Sequence, residues 1–449
     1  MFDHFKYARR FASIAIVAGV LLAACGPLTP SAVTSPPEMP AATSLSPLPQ
    51  ASSGGAHLSS VRSELPRETA PQVSAEARQA LAAGNRALAL DLYRVLRAQG
   101  GNLFYSPYSI STALAMAYAG AAGETQRQMA AALHFTLPPE ALHPAFNALD
   151  LDLTAAEATD AFRLNIANAL WAQAGYEFQP RYLDTLAVNY GAGLRLADFT
   201  QDALREEARQ AINAWVSEQT EKKIEELLQP GDLKPDARLV LLNAIYFKAD
   251  WKVPFSGDQQ SHFMRLDGSS ITVPAMTRRA ETPYLAGAGF TAFALDYKGD
   301  RVRMLVLVPD AGTFEAFEET LDAARIAAIM AELEPTDLQL TMPKFEFKAR
   351  FALQNALANL GMTAAFQPGV ADFSGMDGTH DLFIQSIIHE AYVAVDEEGT
   401  EAAAATGVVA GIVSMPLNTI TVDRPFIFLI HDVESDTLLF VGRVLDPTA

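Results

Sequence analysis

The stretch Gly399-Thr-Glu-Ala-Ala-Ala-Ala-Thr-Gly-Val-Val-Ala-Gly-Ile-Val-Ser-Met-Pro416 is the least ordinary part of the chain. Surface loops usually draw on polar residues, Gly and Pro that satisfy their own backbone. This one is long and built of small side chains, and Glu401 is its one charge. Read at the two-residue period of a strand, Thr400, Ala402, Ala404, Thr406, Val408, Ala410 and Ile412 share one face, none of them charged. The other face carries Glu401, Ala403, Ala405, Gly407, Val409, Gly411 and Val413, and no proline interrupts the run before Pro416. That pattern suits a strand able to slide between two existing strands, one face meeting a core too tight for large side chains. A flexible Ala/Gly linker or a surface helix also fits, since the run Ala402 to Ala405 favours helix. The β-branched Thr and Val, with strands on both sides, favour insertion.

Outward from this segment the chain is rich in strand signals. Leu382 to Val395 precedes it and Ile427 to Val444 follows, and Ala161 to Trp171, Leu239 to Phe247, Val302 to Val308 and Leu338 to Phe347 read the same way. Met304 to Val308 is apolar throughout, as in a strand buried on both faces, whereas Leu338 to Met342 alternates. Helical spacing starts near Ala75, with Leu88, Leu92, Val95 and Leu96 on one stripe and Gly100-Gly101 as a stop. It recurs over Ser109 to Phe135 and near 203–228, 314–332 and 351–360. Helices and strands do not alternate regularly and no repeat is visible, which predicts an α+β domain running from Ala75 to Ala449 without a linker.

The N-terminal part is different. Lys6, Arg9 and Arg10 precede the apolar run Phe11 to Leu22, which is too short for a comfortable membrane span and reads as an export signal over residues 1–24. Leu22-Ala-Ala-Cys25 resembles a bacterial lipobox, which implies a diacylglycerol on the Cys25 thiol and a mature chain starting there. An ordinary secretory signal with a chance cysteine is the blander alternative. Residues 25–74 are dominated at first by Pro, Ser, Ala and Thr. They are expected to form an extended, disordered tether, at roughly 3 Å per residue where polyproline-like. The protein is thus expected to be exported and held at the cell envelope or cell surface through its lipid.

Bulk charge and motifs remove other function classes. The chain of 449 residues carries Lys+Arg 33 against Asp+Glu 52, a net −19 at pH 7 that repels nucleic acid. Cys25 is the only cysteine, so no intrachain disulfide or Cys nucleophile exists in the domain. The Gly-x-Ser-x-Gly elbow of hydrolases is absent, and Ser374-Gly375 looks like a turn. His389-Glu390 lacks a second His one turn on, where Val393 stands, so no metal is expected there. No phosphate-cradling glycine loop occurs. Neither an enzyme nor a cofactor is expected.

From Ala75 onward the chain resembles the serpin family. The likeness is carried by Asn102-Leu-Phe-Tyr-Ser-Pro-Tyr-Ser-Ile-Ser111, Leu242-Asn-Ala-Ile-Tyr-Phe-Lys-Ala-Asp-Trp251, Pro343-Lys-Phe345, Leu360-Gly-Met362, Ala371-Asp-Phe-Ser-Gly-Met376 and His389-Glu-Ala391. Val395-Asp-Glu-Glu-Gly-Thr-Glu-Ala-Ala-Ala404, Asp423-Arg-Pro-Phe-Ile-Phe428 and Gly442-Arg443 continue it in order. The resemblance implies a single domain with a large mixed sheet, smaller sheets, about nine helices and an exposed reactive loop. It implies a monomeric inhibitor whose loop is cleaved by a target protease and then inserts into the main sheet, trapping the covalent acyl complex. Glu397, Glu398, Gly399, Thr400, Glu401, Ala402, Ala403, Ala404 and Ala405 would be the hinge, and its small residues match inhibitory members. The commonest spacing puts the scissile residue 14 positions after Gly399, at Val413 with Ser414 next; Ile412 and Met415 flank the bond, and counting back from Pro425 favours Ser414. A small aliphatic bait, with no Lys or Arg between Gly399 and Asp423, suits an elastase-like or subtilisin-like serine protease, with a cysteine protease open as well. Ser106, Ser109, Asn243 and His389 would form the polar cluster beneath the opening sheet, and Trp251 would lie where the loop first enters. Glu390 departs from the Lys that often follows the strand His. A lipid-tethered binding or structural protein with this fold and no inhibitory cycle is the other reading.

Overall fold

The computed structural model describes residues 58–157, 162–400 and 418–449. Its organisation follows from strands that are apolar on both faces, which must be covered on both sides. The first sheet runs, edge to edge, through β1 (Leu58–Val61), β4 (Leu194–Ala197), β3 (Arg163–Gln173), β5 (Leu239–Asp250), β13 (Gly399–Thr400), β12 (Ile384–Val395) and β11 (Phe345–Ala352). Along β5, Leu239, Leu241, Ile245, Phe247 and Ala249 enter the large core, while Val240, Leu242, Ala244 and Tyr246 enter a smaller one on the opposite face. Ile212, Trp215 and Val216 of helix α6 (Asp202–Gln219) close that smaller core.

The second sheet runs β14 (Asn418–Thr421), β10 (Glu334–Pro343), β7 (Ser270–Gly287), β8 (Phe290–Asp296), β9 (Val302–Pro309), β15 (Phe426–Asp432), β16 (Thr437–Val444) and β2 (Leu103–Tyr105), with β6 (Ser256–Met264) paired to β7. Helix α2 (Pro107–Tyr118) packs against both sheets and α1 (Ala75–Leu96) against β16, and their buried residues fill much of the large core. Ser74 caps α1 by accepting the Ala77 amide, and Ser106 caps α2 by accepting that of Ser109, with Pro107 opening the helix. The others are α3 (Gly123–Ala132), α4 (Pro139–Glu157), α5 (Pro180–Tyr190), α7 (Phe314–Glu319), α8 (Ala323–Ala331), α9 (Gln354–Asn359) and α10 (Ser374–Asp377), so ten α-helices stand among the described residues. None of them is long and apolar enough to cross a membrane. The α+β class is as expected, with two mixed sheets and no barrel.

Several boundaries differ from the sequence reading. Residues 109–135 form two helices, because Gly120 packs its bare Cα against Met376 and Gly123 takes φ +53°. The pattern near 203–228 stops at Gln219, and α4, α5 and β6 to β8 had not been anticipated. Pro144 sits inside α4, and β6 and the outer part of β7 are polar, so their periodicities are weak. Ordered chain also begins ahead of Ala75. β1 pairs antiparallel with β4, Ser63 bonds Asp184 at 2.5 Å, and Arg67 bonds Asn147 at 2.8 Å and Asp150 at 2.6 Å. The domain therefore takes in residues 58–74, assigned on composition to the tether; backbone pairing and two side chains hold a segment with little apolar content of its own.

Candidate functional site

The site lies between β5 and β12. From Leu239–Ile384 to Tyr246–Tyr392 these strands pair directly and in parallel. Above that they part, and β13 stands between them, antiparallel to both, with Thr400 level with Ala249 on one side and Val395 on the other. Gly399 is required there, since a Cβ would overlap the Ala249 carbonyl oxygen. Thr400 is fully buried, and its hydroxyl shares a 2.7 Å hydrogen bond with Tyr297.

Most of what grips this two-residue strand comes from elements far away in sequence. The Trp251 ring stacks on Tyr297 at 4.4 Å and donates its Nε1–H to the Asp396 carbonyl at 3.0 Å. The Trp251 amide donates to the Glu398 carbonyl and the Phe255 amide to that of Glu397, both at 2.7 Å. Asp396 folds the approach back on itself, its carboxylate accepting from the Glu398 amide at 2.9 Å and the Gly399 amide at 3.2 Å. Burial raises the Asp396 pKa, against those two bonds, and the neighbouring Glu397 and Glu398 raise it further. Glu397 forms an ion pair with Lys344. Trp251, Glu397, Glu398, Gly399 and Thr400 thus lie together at the head of the slot.

Six rows down the same strands, a polar line crosses the sheet. Asn168, Asn243 and His389 are successive partners on β3, β5 and β12, and Phe351 on β11 stacks under the imidazole at 6.4 Å. His389 Nδ1 bonds Asn243 Oδ1, while its Nε2 accepts the Ser106 amide at 3.3 Å; the proton therefore sits on Nδ1. Asn243 Nδ2 donates to Ser109 Oγ at 2.6 Å and to Asn168 Oδ1, and Ser109 Oγ donates to the same Asn168 oxygen at 3.0 Å. Complete burial pushes the His389 pKa down to about 3, so the ring is neutral. Ser106, Ser109, Asn243 and His389 meet in this line, and Asn168 joins them. Nothing local marked Asn168, or Tyr297 above; both are placed by strand register.

Glu390 points to the face opposite His389 and is buried, and desolvation raises its pKa against the pull of Lys348 and Arg350. The remaining assigned residues, Glu401 to Ala405, Ile412 to Met415 and Cys25, fall outside the described residues.

The family described as Serpin (serine protease inhibitor) matches residues 83–447. An uncharacterised serpin-like protein of Thermococcus kodakarensis is 37% identical over 80% of this chain and 83% of its own length. The leukocyte elastase inhibitor of Sus scrofa is 38% identical over 82% of this chain and 99% of its own. Among solved structures, the native state of tengpin, a thermophilic serpin, superposes with a TM-score of 0.75 at 25% identity, covering 86% of this chain and 97% of that one. Human thyroxine-binding globulin in complex with its hormone also gives 0.75, at 29% identity, covering 83% and 100%. These matches correct the expectation put only as an absence, that of no enzyme. They replace it with a family of protease inhibitors, so the chemistry to look for is a reaction with a protease.

Proposed function

The chain belongs to the serpin family, and we propose that it inhibits serine endopeptidases irreversibly, as a suicide substrate. One observation carries this reading: Gly399 and Thr400 already lie between β5 and β12 and bond to both. β5 and β12 keep the same relative register from there down to Val240 and Ser386, where it shifts by one residue, so a strand continuing from Thr400 meets matched partners on both sides over that length. Carried on residue by residue, it brings Ala402 level with Phe247 and Val393, Ala404 level with Ile245 and Ala391, and Thr406 between Asn243 and His389. Their faces also agree. In such a continuation, even-numbered residues from Thr400 would turn toward the large core, where Ala249, Phe247 and Val393 already point, and that is the uncharged face of the segment. Glu401 would turn to the other face, level with Lys248.

Cleavage between Val413 and Ser414 would free the segment at its far end while the protease is held as an acyl ester. Insertion then adds a central strand of about a dozen residues, roughly 3.3 Å each. At about 1 kcal/mol net per hydrogen bond, the two new ladders are worth on the order of 10 kcal/mol. A Val bait and the elastase inhibitor relatives favour an elastase-like target; subtilisin-like proteases share the preference for small or apolar side chains. Cys25 would carry the diacylglycerol that holds a monomeric domain at the cell envelope, and labelled palmitate should enter the wild type and not Cys25→Ser.

The test is to mix the full chain with elastase, subtilisin and trypsin. Inhibition predicts a denaturant-resistant complex with one of the first two and none with trypsin. Cleavage without a complex by all three would sink the proposal in favour of a non-inhibitory binding protein.

A further inference from the structure

The turn that grips the hinge has a pocket on its far side. Lys252 and Val253 of that turn, Arg278, Glu281 and Pro283 of β7 and Asp296 of β8 line about 310 Å³, a size that suits a small molecule. Arg278 is 6% exposed. Its Nη1 donates to the Val253 carbonyl at 2.9 Å, its Nη2 to Thr282 Oγ1 at 3.3 Å, and its plane lies over Phe255 at 5.0 Å. Nε has no partner among the described residues.

Among the described residues no carboxylate bonds this buried cation. Asp296 is engaged by Arg303 at 2.6 Å, and Lys252 by Asp300 at 2.6 Å. Burial therefore pulls the Arg278 pKa down to about 10, only partly opposed by the more distant Asp296. A guanidinium left without an anion in a largely dry wall is costly unless something supplies one. Glu281, three residues further along β7, also lines the pocket, is exposed and makes no ion pair among the described residues. With the other two charges matched elsewhere, the pocket presents, among the described residues, one cation and one anion without an ion-pair partner.

We propose that this pocket binds a small zwitterion of the α-amino acid class, its carboxylate paired with Arg278 and its ammonium directed toward Glu281. The planar fork of Arg278 suits a carboxylate. A doubly charged anion would be repelled by Glu281 and Asp296. Because Arg278 also holds the Val253 carbonyl, an occupant braces the turn whose Trp251 and Phe255 amides grip the hinge.

Calorimetry on the full chain with glycine, acetate and methylammonium as probes tests this. Glycine should bind saturably, and acetate and methylammonium each at least about tenfold more weakly, since each makes one of the two contacts. Arg278→Met should abolish glycine binding. Glu281→Gln, an exposed change that leaves folding alone, should weaken glycine about tenfold without weakening acetate. Absence of saturable glycine binding overturns the proposal, as does a Glu281→Gln protein that binds glycine like wild type.

Discussion

The two ends of the slot between β5 and β12 are built alike and held shut differently. At the hinge the strands have parted around Gly399 and Thr400, gripped by backbone amides of Trp251 and Phe255 and by the Tyr297 hydroxyl. Six rows lower the strands touch, and a completely buried line of Asn243, His389, Ser106 and Ser109 joins them. Opening the upper end further exposes an ion pair and a few loop contacts. Opening the lower end breaks bonds between polar groups that have no water to turn to. The slot is thus primed at one end and latched at the other, with one register running through both.

The largest effect should come from the primed end. Thr400→Arg puts a charge where the side chain is fully buried, so the hinge is expelled and cleavage outruns insertion. The number of inhibitor molecules consumed per protease inhibited should rise at least about tenfold; unchanged stoichiometry would refute the face assigned to Thr400. At the latch, Asn243→Ala leaves the His389 Nδ1–H and the Ser109 hydroxyl short of a partner. It should lower stability by about 1–3 kcal/mol and speed spontaneous insertion, seen as faster loss of inhibitory activity on warming.

Acid should separate the two ends. Burial holds the His389 pKa near 3 against an ordinary 6.5, so below 6.5 the unfolded chain takes up a proton that the folded chain refuses. Its contribution is complete above pH 6.5 and is lost as pH falls toward 3, at about 1.4 kcal/mol per unit. Glu157, raised to about 7 by burial, acts in the opposite sense, losing stability as pH rises from 4.5 through 7. The comparison is therefore between wild type and His389→Gln in denaturant titrations at several pH values, and the variant should show the flatter acid limb. The smallest change is expected at Lys344→Ala. Its ion pair with Glu397 is partly exposed and worth less than about 1 kcal/mol, so the midpoint should move by only a few degrees.

The two ends were also unequally legible. Gly399, Thr400 and the small-residue alternation after them are local patterns that suit an insertable strand on sequence alone. Ser106, Ser109, Asn243 and His389 came from the family resemblance, since nothing local brings four polar residues from three elements to one point. Asn168 and Tyr297 went unread for the same reason: Asn168 matters because β3 pairs with β5 in one register, Tyr297 because it bridges to Trp251. The ordered stretch from Leu58 to Ser74 was hidden by composition, because backbone pairing to β4 leaves no apolar signature.

The most direct test of a primed and latched slot is to cut the loop between Val409 and Met415 with a protease that is not trapped, and follow the clipped chain by thermal unfolding and amide exchange. If the segment enters the slot in the register of Thr400, the midpoint rises by on the order of 20 °C or more. Amides of Leu241 to Ile245 and Ile387 to Ala391 then exchange more slowly than in the intact chain. A clipped chain that melts at or below the intact midpoint, with exchange in both strands unchanged, would contradict the account.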